Sequence, residues 1–218
     1  MAIHLTRLFL PAALLLSVAR VSAGNGGPTG FPAAQPDSLC GDSPYCLEMR
    51  GMVRESKGAQ DAQEKAKGLD SAEVLVKNER GVTVIYGLTD HKGRCLFRLP
   101  FNRRFTIHVL KKGYVEKMIE VNTRIPAEQE KTCSFTFDVD IFEQIGGLDV
   151  SVLSRPIARV HYRPLTKQFV YDAEYTNRVN SELKKMYRDY YALQKANAAP
   201  ADSVATRPRA KSGAQKKH

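Results

Sequence analysis

Tryptophan is missing from the 218-residue chain and cysteine is scarce, with four in all. Four cysteines are too few for a disulfide-dense miniprotein. After the extreme N-terminus no apolar run approaches the length of about 20 residues that crosses a bilayer, which excludes a polytopic membrane protein. No H-E-x-x-H, no zinc-spaced cysteine pair, no G-x-S-x-G and no phosphate-cradling glycine loop occurs. The expectation is therefore a protein with no catalytic constellation, no cofactor and no metal site. What is present is a globular composition, 43% hydrophobic and 26% charged, which excludes a wholly disordered chain. The length suits one domain with additions.

Positive charge is in excess, 33 Lys and Arg against 23 Asp and Glu, for a net +10. Its distribution matters more than its size. Arg7 precedes an apolar stretch from Leu8 to Val18, and Val21-Ser22-Ala23 supplies a small-x-small exit. Residues 1–23 thus read as a secretory signal peptide, too short for a membrane anchor and interrupted by Pro11. Removing them takes away two cations and no acid. Residues 203–218 hold Arg207, Arg209, Lys211, Lys216 and Lys217 without an acid. The high net charge is mostly a property of that tail, and residues 198–218 read as a disordered basic end. A nucleic-acid role is not expected of an exported chain. The expected location is periplasmic or extracellular, with no transmembrane segment after signal removal and with peripheral association with the envelope.

In an oxidising compartment the cysteines can pair. Cys40 and Cys46 flank Gly41 and Pro44 and can close a local loop. Cys95 and Cys133 fall on apolar faces of predicted strands. Two arrangements remain open: Cys40–Cys46 with Cys95–Cys133, or Cys40–Cys46 alone, the other two packing as small hydrophobes.

Residues 24–45, rich in Gly and Pro, read as a flexible leader. From Leu47 the chain alternates. Leu47, Met49, Gly51 and Val53 share one face, and six further segments follow with period two: Ala72–Lys77, Val82–Tyr86, Cys95–Leu99, Phe105–Val109, Tyr114–Val121 and Cys133–Val139. Glycine turns separate several of them. Residues 55–70, dominated by Lys, Glu, Gln and Ala, read as a surface insertion. Seven short alternating segments predict an antiparallel β-sandwich over 46–142. A β extension is expected over 143–171. An amphipathic helix is expected over 172–197, with Asp172 as its cap and Tyr175, Val179, Leu183, Met186, Tyr190 and Leu193 on one face.

The run Thr89-Asp90-His91-Lys92-Gly93-Arg94-Cys95-Leu96-Phe97-Arg98-Leu99-Pro100, followed by Phe105-Thr106-Ile107-His108-Val109 and Lys112-Gly113-Tyr114, resembles the carboxypeptidase regulatory-like domain. The resemblance covers residues 46–122 and, more loosely, extends to 142. It implies a transthyretin-like (prealbumin-like) sandwich, so the expected fold is a mainly β, seven-stranded antiparallel sandwich with a C-terminal β extension and helix. Cys95 departs from the family pattern, which has an aromatic or aliphatic residue there, and the 55–70 insertion lengthens the first link. The block from Phe137 through Leu153 to Ala158 is similar to exported Gram-negative envelope proteins that carry this domain. That likeness implies an accessory or binding role.

Isolated chemistry-bearing residues read as structural. His108 and His161 lack a second ligand. Asp138, Asp140 and Glu143 lack the glycine-containing loop of calcium sites and read as a solvated strand face that discourages edge pairing. Lys117, on an inward row, reads as a snorkelling surface lysine rather than as half of a Lys–Asn crosslink. Tyr175, Tyr187, Tyr190 and Tyr191 are candidate partner-binding residues, with packing of that face on the protein's own sandwich as the competing reading. The expected function is a non-enzymatic envelope module contacting a protein or polymer through strand edges, the tyrosine helix and the basic tail. The alternatives are a small-ligand or glycan-binding carrier, or an accessory to an exported hydrolase, and then a metal-dependent enzyme.

Overall fold

A computed structural model describes residues 39–40, 45–56, 66–129 and 131–198. Residues 1–23, expected as a signal peptide, most of the expected leader, part of the 55–70 segment and residues 199–218 of the expected basic tail lie outside them. The described chain is mainly β, a two-sheet sandwich with one C-terminal helix. Seven strands fall where the alternation placed them: β1 (Cys46–Glu55), β2 (Glu73–Asn78), β3 (Thr83–Leu88), β4 (Arg94–Pro100), β5 (Arg104–Leu110), β6 (Lys117–Asn122) and β7 (Cys133–Ile141). The extension contributes β8 (Ala158–Arg163) and β9 (Gln168–Tyr171), and the helix α1 spans Ala173–Ala198.

One sheet has the order β4-β1-β7 and the other β3-β2-β5-β6-β8-β9. Two pairings depart from the antiparallel expectation: β1 runs parallel to β7, and β6 parallel to β8. Each pair is joined by a long connection, as parallel neighbours require. Alternation reports which face of a strand is buried, not the direction of its neighbour, so the sequence pattern was silent on this point.

Between the sheets Leu47, Met49, Leu99, Phe137, Val76, Ile107 and Val109 are fully buried. Each such apolar side chain contributes about 1.5–3 kcal/mol of gross burial free energy. Gly51 sits at the centre of β1 because space demands it. A Cβ there would lie 2.4 Å from Cys95 Sγ and 2.5 Å from Phe137 Cζ. The 55–70 segment is not wholly superficial. Its last part returns to the core, where Leu69 is buried and donates its N–H to the Val53 carbonyl at 2.9 Å.

The helix begins as expected, with the Asp172 carboxylate accepting the Tyr175 N–H at 3.0 Å. Its apolar face closes a second core with Val115, Phe142 and Leu153. Leu153 comes from a short 3-10 turn, Ser151–Ser154, a few residues after a turn at Gly146 and Gly147. A hydrogen bond from the Tyr175 hydroxyl to the Pro156 carbonyl (2.7 Å) and the Arg159 guanidinium, 4.0 Å from the Tyr175 ring centre, fasten the helix start to the sandwich.

Candidate functional site

A sandwich has four sheet edges, and each leaves backbone donors and acceptors unpaired unless something covers or blunts it. The edge strand β4 carries Arg94 and Arg98 and ends in Pro100. β7 carries Asp138 and Asp140, and its Phe135 meets Tyr171 of β9 at 5.1 Å between ring centres, which draws the two sheets together on that side. β9 is four residues long and leads directly into the helix. The edge β3 has none of these protections. From Gly81 to Thr89 there is no charge and no proline.

Local chemistry fixes this edge in place. Asn78 Oδ1 accepts the N–H groups of Arg80 and Val82 at 3.0 and 3.1 Å, and Gly81, at φ +75°, completes the β2–β3 turn. After β3, Thr89 Oγ1 accepts the Ala72 N–H at 2.9 Å and donates to the Leu69 carbonyl at 2.6 Å. Asp90 then builds the next turn, accepting the N–H groups of Lys92 and Arg94 and two guanidinium N–H bonds from Arg94. Burial alone would raise the Asp90 carboxyl pKa, but these donors outweigh it and hold the group below the ordinary carboxylate range. Gly93 is at φ +78°, and a Cβ there would lie 2.1 Å from the Val53 carbonyl oxygen. The Thr-Asp-x-x-Gly run is thus a structural turn that returns the chain from β3 to β4.

The side chains of β3 are not those the alternation pointed to. Val82, Val84 and Tyr86 were expected to form the returning strand's row; the residue that enters the core is Ile85, opposite Val76. An irregularity between Val76 and Lys77 resets the register. Val82, Tyr86 and Leu88 are left 55%, 53% and 51% exposed. Among the described residues nothing pairs with β3 on its outer side.

The tyrosine helix is placed differently from a docking surface. Tyr175 and Tyr190 are buried in the second core, and Tyr187 and Tyr191 are half-buried against it. Tyr190 packs on Phe142 at 4.7 Å between ring centres, and Tyr187 on the same ring at 5.5 Å. Tyr175 and Tyr190 therefore do not present their rings to a partner, contrary to the expectation: their apolar bodies are already used inside.

Beneath this face lies Lys117. It is 3% exposed, not snorkelling. Its ammonium donates to the Asp140 carbonyl and, at 2.6 Å, to the Tyr187 hydroxyl, and it sits over the Phe142 and Tyr187 rings. Neither hydrogen-bond partner is an asparagine amide. The expected solvated acidic face holds at Asp138 and Glu143, which are exposed, Asp138 pairing with Arg54 at 3.1 Å; it is corrected at Asp140, whose Oδ1 is buried without a hydrogen-bond partner. Burial raises the Asp140 pKa, while Lys117 and Arg54 pull the other way.

Of the cysteines, Cys40 and Cys46 form a disulfide and Cys95 and Cys133 are free. The second pairing fails on geometry. Cys95 lies opposite Gly51 and Cys133 opposite Leu47, on the two flanks of β1. Four residues of offset is about 13 Å along a strand, beyond the ~7 Å Cα separation a bridge spans. Burial pushes the Cys95 thiol up to about 12. His91 lies in the Asp90 turn, His108 on β5 bound through Nδ1 to Glu116 at 2.5 Å, and His161 on β8. Among the described residues no group of three or more His, Cys, Asp or Glu side chains is placed to hold a metal ion.

No family model matches the chain, and no curated protein does. Solved structures that resemble it include catechol 1,2-dioxygenase from Acinetobacter sp. ADP1, with a TM-score of 0.36, 14% identity, and coverage of 56% of this chain and 60% of that one. The minor pilin of Streptococcus agalactiae has a TM-score of 0.34 and 11% identity over 46% of each chain. The 5-hydroxyisourate hydrolase of Klebsiella pneumoniae has a TM-score of 0.28 and 13% identity over 46% of this chain and 99% of that one. The matched part spans less than two thirds of the pilin and of the dioxygenase. At such scores these likenesses assign neither a family nor an activity.

Proposed function

We propose that this chain is a non-enzymatic, exported binding module of the cell envelope, and that it takes hold of another protein by adding that protein's strand to the β3 edge. The observation that carries this reading is the uncharged, proline-free β3 with Val82, Tyr86 and Leu88 half exposed. Strand addition joins backbone hydrogen bonds, which supply affinity, to alternate side-chain contacts, which supply specificity. The other three edges carry charge or proline, draw against the neighbouring sheet, or are short. The carboxypeptidase regulatory-like assignment belongs to the same reading and rests on the Thr89–Pro100 motif. The carrier alternative is less well supported, because aromatic and branched side chains fill the space between the sheets.

The test is a photo-crosslinking amino acid at Tyr86, introduced into the full chain in its native envelope, with a second probe at the exposed helix residue Lys184. The expected result is one discrete adduct at Tyr86, lost on Leu88→Lys, with slowed amide exchange along β3 when the captured protein is added back. Equal adducts at both probes, or an adduct indifferent to Leu88→Lys, overturns the reading.

A further inference from the structure

A different face of the molecule carries a second assignment, which stands whether or not β3 accepts a strand. On the outer side of the six-stranded sheet is a cleft of about 490 Å³, lined in part by Lys77, Glu79, Arg104, Thr106, His108 and Arg124. Three adjacent strands deliver its cations to one place. Lys77 of β2 lies opposite Thr106 of β5, and Arg104 of β5 lies opposite Asn122 of β6. Arg124 follows two residues later, with its N–H on Asn122 Oδ1 at 3.2 Å. The intervening residues Val76, Phe105 and Val121 are buried, so the period of two turns this set outward.

Surface cations in a balanced protein usually have carboxylates beside them. Among the described residues, none of Lys77, Arg104 and Arg124 has an ion-pair partner. Glu79 is the one acid in the lining, and its Oε1 accepts the Arg104 backbone N–H at 3.1 Å. The neighbouring acid Glu116 is engaged by His108, and Glu120 lies 3.7 Å from Arg159. Three cations against one carboxylate leave an excess of two positive charges, the complement of a dianion. Guanidinium groups bind phosphate oxygens through two parallel N–H bonds, and the Thr106 hydroxyl adds a donor. The volume falls within the range of small-molecule sites and exceeds what a bare phosphate fills.

We infer that this cleft is a binding site for a phosphate monoester, with Arg104, Arg124 and Lys77 holding the dianion and the rest of the cleft receiving the group esterified to it. Calorimetric titration of the intact protein at constant ionic strength tests this with three probes: inorganic phosphate, glycerol 3-phosphate and acetate. Saturable one-to-one binding is expected, at least tenfold tighter for glycerol 3-phosphate than for acetate. The double variant R104A/R124A, both sites exposed, is expected to lose at least tenfold in affinity with an unchanged unfolding midpoint, while Lys184→Ala on the helix binds as the parent does. Should the double variant fold poorly, amide shifts of the parent protein give an independent readout, with changes expected at Gly81, Thr106 and His108. Co-sedimentation with phosphatidic acid vesicles, lost in R104A/R124A, assigns the ester to a lipid; binding of glycerol 3-phosphate without co-sedimentation assigns it to a soluble molecule. Absence of saturable heat, equal affinity for acetate, equal loss in Lys184→Ala, or shifts confined to other surfaces overturns the assignment.

Discussion

The Lys117 ammonium donates to the Tyr187 hydroxyl at 2.6 Å and thereby joins β6 to the helix across 70 residues of chain. The same ammonium donates to the Asp140 carbonyl and lies 5.3–5.5 Å from two aromatic ring centres. A charge this far from water persists only where acceptors and ring faces replace its hydration. The helix is therefore a part of the sandwich's own packing, with a polar pin inside an otherwise apolar contact.

That pin has a measurable cost when one half is removed. Tyr187→Phe leaves the buried ammonium short of an acceptor and is expected to destabilise by about 1.5–3 kcal/mol. Lys117→Met keeps the side-chain length and removes the charge, and is expected to cost less than Tyr187→Phe. In the double variant the Tyr187→Phe cost should disappear. Urea unfolding of the four proteins checks this; simple additivity of the two costs would show that the contact does not couple them.

Asp140 gives the fold a dependence on pH of known sign. Burial raises its folded pKa above the unfolded value, with Lys117 and Arg54 opposing and Asp138 adding to the rise. The folded chain therefore holds this proton to higher pH than the unfolded chain. The group's stabilising contribution is complete below the unfolded pKa and is lost as pH rises through the folded one. Asp140→Asn is expected to flatten that decline and to be more stable than the parent at neutral pH. Unfolding midpoints measured from the acid range to neutrality test this, and a variant less stable at neutral pH contradicts it.

The cysteines separate into three classes by reactivity. Both free cysteines are half-buried and burial raises both thiols, Cys95 up to about 12, so alkylation of the native protein is expected to mark Cys133 well before Cys95. Unfolding without reductant should expose the second thiol, and reduction should release Cys40 and Cys46. Peptide mass mapping reads all three states. A Cys95–Cys133 peptide pair in the oxidised protein would overturn the geometry described for β1.

The turn between β3 and β4 sets the position of the open edge. Asp90→Asn loses charge-assisted bonds to Arg94 and is expected to cost about 1–3 kcal/mol near neutrality. Because the folded Asp90 pKa is lowered, this contribution is present above the unfolded value and fades as pH falls through the folded one. Gly93→Ala sets a Cβ against the Val53 carbonyl at a positive φ and is expected to cost about 2 kcal/mol or more. Urea unfolding at two pH values separates the variants: the Asp90 effect shrinks in acid and the Gly93 effect persists.

Much of the architecture follows from the chain read alone. Period-two alternation located β1 to β7, glycine at Gly81 and Gly93 located two turns, and Asp172 with the Tyr175–Tyr190 stripe located the helix. These are local signals, because a strand's buried face and a helix's cap are written in neighbouring residues. Tertiary structure alone decided the rest. It made β1 and β7 parallel, returned Leu69 to the core, and kept Cys95 and Cys133 on opposite flanks of β1. It enclosed Lys117 beneath Tyr187 and, among the described residues, left β3 with β2 on one side and no strand on the other. Each of these depends on which distant segments meet, and an alternating pattern is the same whether a strand ends up at the centre of a sheet or at its edge.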